Sequence, residues 1–366
     1  VNRVVYQAFL TAAALAVIMA CVGYIASPRL LDLVNASPEV QQEALPYMRV
    51  MFLGGIGQIM FFMLSGAFRA AGDVRTPLKL GLWLTILTII FNLILIPPLG
   101  TLGAALGTVT GNLLVGVYGI WLIFRPGSVI HIHTGIEKRP DFSIIRALFR
   151  FGLPTGMQGI AMNIAGVMLI RFVGSLEHSA AAQAAYAVGY TQLFSLITWT
   201  SVGLMGASAT IAGQNIGAGN YERAVQGVVV ATRYGLVVAT VVGSMFLLIP
   251  NHLLQIFGMT EPRVTLLGVE LLQYLSLSGF FVTIALSYTG GLQGTGDTRS
   301  PLVISIISQV AIPIGLCTFL QISRGLAPQD IWIAILLGHF TRAVLSALWF
   351  HQGRWKNISV ELEAEH

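Results

Sequence analysis

Residues 80–124 read LGLWLTILTIIFNLILIPPLGTLGAALGTVTGNLLVGVYGIWLIF, an apolar run without a single charged side chain. A bilayer-spanning helix needs only about 20 such residues, so the run is too long for one span. Pro97-Pro98-Leu99-Gly100 supplies a turn in its middle, and the run reads as a hairpin of two spans. Working outward, further charge-free runs cover Val4–Pro28, Phe151–Ile170, Tyr234–Thr260, Leu271–Gly296 and Ser300–Ser323. The chain of 366 residues has 20 Lys and Arg and 15 Asp and Glu. The resulting 10% charged fraction stands against roughly 25% in soluble proteins. Such a composition predicts an all-α, polytopic integral membrane protein and excludes a cytosolic enzyme, a nucleic-acid-binding domain or a secreted disulfide scaffold as its main body. Cys21 and Cys317 both fall within apolar runs and read as small apolar side chains.

Breaking the runs at proline, glycine and charge clusters predicts ten helices, at 4–26, 47–69, 78–97, 102–124, 147–172, 181–212, 226–249, 264–291, 302–322 and 331–351. The segment 181–212 is too short for two spans and a turn, so it reads as one long helix. With loops alternating between sides, fourteen Lys and Arg collect on one face, among them Arg69, Arg75, Arg139, Arg146, Arg299 and Arg354. The other face has three, Arg29, Arg263 and Arg324. The positive-inside rule then places both ends of the chain in the cytoplasm, in a plasma (inner) membrane. The basic segment 125–146 separates a first lobe at 1–124 from a second lobe at 147–351, and 352–366 forms a cytoplasmic tail.

The chain contains an internal repeat. Gly66-Ala67-Phe68-Arg69-Ala70-Ala71-Gly72-Asp73-Val74-Arg75-Thr76-Pro77 recurs as Gly290-Gly291-Leu292-Gln293-Gly294-Thr295-Gly296-Asp297-Thr298-Arg299-Ser300-Pro301, at an offset of 224 residues. Pro38 and Val40 match Pro262 and Val264 at the same offset, each pair expected just before a helix. A parallel duplication follows. Within each copy, Gly72 and Gly296 are expected to let the chain leave a helix tightly. Thr76 and Ser300 are expected to act as N-cap hydroxyls before Pro77 and Pro301, and Asp73 and Asp297 to compensate Arg75 and Arg299. With Arg69 and Gln293, these residues would form cytoplasmic latches. Residues 147–224 have no partners at the repeat offset, which predicts two more helices upstream of Val1 and a twelve-helix protein. The first four helices would then be short of packing partners and the chain alone unable to transport. A natural ten-helix protein with unequal halves is the alternative.

The twin hairpins at 69–77 and 293–301, Phe151-Gly152-Leu153-Pro154 opening a helix, the 203–220 stretch ending in Gly213-Gln214-Asn215-Ile216-Gly217-Ala218-Gly219-Asn220, and Gly353-Arg354-Trp355-Lys356 together resemble the multidrug and toxic compound extrusion (MATE) family. The resemblance spans nearly the whole chain. It implies two six-helix lobes around a central cavity, and alternating access that exports small organic, cationic substrates in exchange for Na⁺ or H⁺, with no other cofactor and no metal site. Two departures stand out. One branch of the family carries Asp-Pro in its fifth helix where this chain has Asn92-Leu93, and the only intramembrane carboxylate is Glu270.

Polar and aromatic side chains within the spans are the candidate cavity groups. Gln158 and Asn163 follow Pro154, whose missing N–H can kink its helix. Tyr186 and Tyr190 share a helix face and could hold an organic cation by cation–π contact or belong to an interfacial aromatic belt. Gln58, Asn92 and Asn112 read first as helix–helix hydrogen bonds and second as cavity groups. Arg171 and Glu270 would offset each other as an intramembrane charge pair, and His339 and Arg342 lie one turn apart. His131 and His133 lack the ligand neighbours of a metal site. No His-Glu-x-x-His, Gly-x-Ser-x-Gly or paired intramembrane carboxylate points to an enzyme. A flippase for lipid-linked saccharides is the second transport reading, weakened by the lack of a mid-cavity basic cluster. Nothing in the sequence calls for a nucleic acid or an obligatory protein partner beside the lipid bilayer.

The charge asymmetry makes a direct prediction. Cysteines introduced at Ser128 and Gly135 are expected to react with an impermeant thiol reagent only from the cytoplasmic side, and one at Ala36 only from outside. Labelling of Ala36 and Ser128 from the same side would overturn the span count.

Overall fold

The computed structural model describes residues 2–33, 37–130 and 139–358. His131, His133, Gly135 and Ala36 lie outside the described residues. All regular structure among the described residues is helical. The elements are α1 (Asn2–Leu33), α2 (Pro38–Ala70), α3 (Arg75–Phe124), α4 (Phe142–Gly174), α5 (Ser179–Tyr186), the π-helical segment π1 (Ala187–Leu193), α6 (Ser195–Gly217), α7 (Tyr221–Leu248), the short α8 (Pro250–Ile256), α9 (Pro262–Gly294), α10 (Arg299–Ser305), π2 (Ile306–Ala311), α11 (Ile312–Ser323) and α12 (Pro328–His351). A 3₁₀ turn at Arg354–Asn357 follows. Nine stretches of the described chain are long and apolar enough to cross a membrane.

The 50-residue α3 is the expected hairpin. Its path breaks at Gly100, where φ 56° and ψ −131° are open to glycine alone. Gly103 then packs on Leu95, Gly107 on Asn92 and Gly111 on Thr88. The partner number falls as the glycine number rises, so the two arms run antiparallel, with hydrogen atoms in place of side chains at the seam. The hairpin brings the spans to ten.

The duplication extends to the ends of helices. α2 and α9 each have 33 residues, and both of their ends, like the starts of α3 and α10, lie at the 224-residue offset. Pro38 and Pro262 are therefore not ahead of a helix but its first residue, where a missing N–H costs nothing. The helices overrun several expected boundaries for the same local reason. Pro28, Pro46 and Pro154 all sit inside helices, since neighbouring groups in a packed membrane helix can take over the freed carbonyl.

In both latches the expected cap needs correction. Gly72 (φ 91°) and Gly296 (φ 89°) do make the left-handed exit. The helix that follows is capped by the aspartate, however, and not by the hydroxyl. Asp73 Oδ1 accepts from the backbone N–H of Arg75 and of Thr76, both at 3.0 Å, and Oδ2 accepts from Thr76 Oγ at 2.5 Å. Asp297 repeats this with Ser300, at 3.0 Å from the backbone N–H and 2.6 Å from the hydroxyl. Thr76 and Ser300 thus donate to the cap, and Pro77 and Pro301 sit in the third helical position. Nor do the aspartates pair with Arg75 and Arg299. The ion pairs among the described residues are Arg3–Asp141 at 2.7 Å and Arg324–Asp330 at 2.6 Å.

The chain divides into two compact units, one ending at Leu148 and the other beginning at Phe149, within α4. In the first, α2 packs against α1 and α3, and Gly57 meets the backbone of Asn112 and Gly116. The fully buried Gln7 of α1 holds the start of α4, donating to Arg139 O at 2.9 Å and accepting from Asp141 N–H at 3.1 Å. In the second unit α9 is the central helix, flanked by α6, α7 and α12. Its Gly290 and Gly294 lie directly against the carbonyls of Met205 and Ala209 on α6. This four-residue spacing of glycines permits close helix approach where no hydrophobic effect drives association.

The Asp73 cap carries a pH dependence. Burial raises the Asp73 carboxyl, but the hydrogen bonds from Thr76 and Arg75, helped by the Lys79 charge, more than offset this and hold its pKa below the ordinary carboxylate value. The cap therefore stabilises fully above that ordinary value, near 4, and the contribution is lost as pH falls through the depressed folded value. Asp73→Ala is expected to cost about 1 kcal/mol near neutral pH. In thermal unfolding of the detergent-solubilised protein, the gap between wild type and variant should shrink on acidification below pH 4. An undiminished gap would show that the carboxylate charge has no role in the cap.

Candidate functional site

Two groups of buried side chains stand out within the second unit. The first is at the repeat latch. Gln158 of α4 is 5% exposed. Its Nε2 donates to Ser305 Oγ at 2.7 Å, and its Oε1 accepts from Gln293 Nε2 at 3.3 Å. A candidate cavity group and a latch residue thus meet, and together they tie α4, α9 and α10. Asn163, one further turn along α4, is exposed and donates to Gly159 O at 2.9 Å. The helix between Phe142 and Gly174 continues through Pro154.

The second is an aromatic column. Tyr186, at the end of α5, stacks on Tyr190 of π1 with ring centres 5.0 Å apart and 13° between planes. Trp332 of α12 lies on Tyr186 at 6.3 Å. Tyr190 continues to Phe194 at 5.5 Å and to His339 of α12 at 6.4 Å, and Phe194 and His339 are 5.7 Å apart. Tyr186 and Tyr190 share a face, as their spacing implies. Tyr186 is buried in the core, and each tyrosine has aromatic neighbours. The π faces that a bound organic cation would need are largely turned to the protein's own rings.

Arg342 lies one turn beyond His339 and is 3% exposed, with His339 at 4%. Four nitrogens in this region are buried without a hydrogen-bond partner: Gln309 Nε2 of π2, and Trp332 Nε1, His339 Nδ1 and Arg342 Nε of α12. Sequence reasoning paired His339 with Arg342 but missed Trp332, Gln309 and both π segments, because an extra residue per turn leaves no compositional mark. Such segments are frequent at functional sites.

The remaining candidates separate. Glu270 accepts from Gln329 Nε2 at 3.1 Å. Arg171 is exposed at the end of α4, and the expected Arg171–Glu270 pair is not among the ion pairs of the described residues. A hydrogen bond to a neutral amide has taken the place of the charge partner. In the first unit, Gln58 is exposed beside a groove of about 380 Å³ lined by Met48, Met51 and Phe52. Asn92 has its Oδ1 buried against Gly107, and Asn112 donates to Thr108 O at 2.9 Å within its own helix. Among the described residues, no group of three or more His, Cys, Asp or Glu could hold a metal ion.

Comparison with known proteins follows this geometry. The family described as MatE matches residues 1–94 and 154–318. A probable multidrug resistance protein NorM of Thermotoga maritima is 25% identical over 334 residues, covering 89% of this chain and 70% of the relative. The multidrug resistance protein PmpM of Pseudomonas aeruginosa is 24% identical, covering 87% of this chain and 68% of the relative. A solved outward-facing multidrug resistance MATE family transporter of the MOP superfamily superposes with a TM-score of 0.89 at 18% identity, over 96% of this chain and 78% of that one. The apolar helices, their internal duplication and the extent of these matches make the chain a multi-pass membrane protein of the MatE family.

Proposed function

We propose that the protein exports small organic molecules, drugs or metabolites, by alternating access, in exchange for Na⁺ or H⁺ and without enzymatic chemistry. The observation that carries this reading is the family match over both repeats, together with relatives named for multidrug resistance. The parallel duplication supports it physically. Two copies of one helical framework, α2–α3 and α9–α10, are the kind of duplication from which alternating-access transporters are built. The positive-inside count supports a plasma-membrane orientation with the latches in the cytoplasm. The flippase reading, which needs several basic groups for a pyrophosphate, finds less support in relatives with these names.

Within this proposal the latch acts through Gln293 and Gln158. Their hydrogen bonds tie the middle of α4 to α9 and α10, so that this part of the helix moves with its unit. Substrate contact falls to exposed polar groups, Asn163 on α4 and, in the first unit, Gln58, while Asn92 packs within its hairpin and Tyr186 and Tyr190 shape the interior from within the packed column.

Inverted membrane vesicles containing the protein that carries this chain are expected to accumulate a fluorescent organic cation when an outward Na⁺ or H⁺ gradient, with the ion concentrated in the lumen, is imposed. Comparing the two gradients names the coupling ion. Normal insertion with no response to either gradient would refute the export reading.

In the same vesicles Gln158→Leu and Gln293→Ala are each expected to slow transport several-fold at normal protein levels. Because both remove one shared hydrogen-bond network, the double variant should be no slower than the worse single one. Additive losses would separate Gln158 from the latch.

A further inference from the structure

The four buried nitrogens without partners differ from the other unpartnered atoms of the second unit, which are serine and threonine hydroxyls. A hydroxyl can turn or accept, but Arg Nε, Trp Nε1 and amide Nε2 can only donate. One of them belongs to a guanidinium that is always charged. No carboxylate of the described residues pairs with Arg342, the two ion pairs lying elsewhere. A buried charge without a counter-charge is among the most costly features a membrane interior can contain.

The backbone around Arg342 is also specialised. Gly338, Arg342 and Ser346 follow one another at single-turn spacing on α12, and all three are buried. A Cβ at Gly338 would lie 2.6 Å from Ser308 O and 3.4 Å from Gln309 Nε2. The π2 segment is thus drawn against this face of α12 with its Gln309 amide. His339, on the neighbouring face, meets π1 through Tyr190 and Phe194. Two π segments from separate helices therefore converge on the single turn of α12 that carries His339 and Arg342. Apart from the Ser346 hydroxyl, the unpartnered atoms on this part of α12 and on π2 are hydrogen-bond donors or, in His339 Nδ1, a nitrogen that donates in one tautomer.

We propose that the second unit binds one compact anion, a halide or the carboxylate of a small acid, at the Arg342 guanidinium, with Gln309 Nε2 and His339 Nδ1 as further donors. The ligand chemistry is set by what the site lacks, a negatively charged hydrogen-bond acceptor. The aromatic column limits it to a small group, because Tyr190, Phe194 and His339 are stacked on one another and leave no slot for a further ring. The assignment goes beyond drug export and stands independently of it, since it concerns binding to the resting protein.

The test uses the protein that carries this chain, purified in detergent in sodium gluconate, an anion too bulky for the site. Titration with sodium bromide, and separately with sodium acetate, at constant ionic strength should raise the unfolding temperature saturably, by roughly 5 °C or more at high occupancy. A response to bromide alone marks a halide site, and a response to acetate alone or to both marks a site that accepts carboxylates. Arg342→Met should abolish the response, and Arg342→Lys should keep a weaker one. Since Arg342→Met could fail to fold, crystals of the wild-type protein grown in bromide provide the second measurement, with an anomalous peak expected beside the guanidinium. Identical unfolding temperatures in gluconate, bromide and acetate, an unchanged response in Arg342→Met, or bromide crystals without a peak at Arg342 would each overturn the proposal.

Discussion

Within a bilayer a polar group has only the partners the protein carries in with it. This constraint organises every part of the molecule. It makes the chain helical, since helices satisfy their own backbone, and it limits polar side chains within spans to those with an internal task. Thr108, Thr210, Thr232 and Ser308 return their hydroxyls to a carbonyl one turn back. Gln158 spends both ends of its amide on other helices. Small residues provide the remaining adhesion, because close backbone approach gains dispersion contacts where water offers no driving force. Gly57, Gly116, Gly290 and Gly294 all lie against the backbone of a neighbouring helix.

The two latches show how a duplication preserves a physical solution while letting its surroundings diverge. Both exit a helix through a left-handed glycine and restart the next on an aspartate that accepts from the backbone and from a hydroxyl three residues on. One difference with a structural consequence lies four positions before each aspartate. Arg69 in the first copy corresponds to Gln293 in the second, and only the neutral amide is hydrogen-bonded to α4 through Gln158. The same local geometry thereby serves as a helix junction in one half and as a three-helix clasp in the other.

Much of this was legible in the sequence because it depends on composition and repetition. The break at Gly100, the offset between α2 and α9 and the positive-φ glycines all follow from residue types at fixed spacing. Features that depend on which side chains meet were not legible. Asp73 and Thr76 could each cap a helix, and only the position of the first turn decides between them. Glu270 could as well have met Arg171 as Gln329. The column from Trp332 to His339 draws its members from α5, π1, the residue that joins π1 to α6, and α12, so no single window of sequence contains it. The π segments that shape it differ from α-helix by one residue in a turn, below the resolution of hydrophobic periodicity.

The export proposed for this MatE-family protein requires that its substrate site open to each side of the membrane in turn. Solute counterflow measures that property without an ion gradient. Proteoliposomes containing the protein that carries this chain are loaded with an unlabelled organic cation and diluted into a trace of the labelled compound. Alternating access predicts a transient uptake of label above its equilibrium level, carried by exchange across the loaded site. Monotonic equilibration at the rate of empty liposomes, with the protein folded and inserted, would contradict the account.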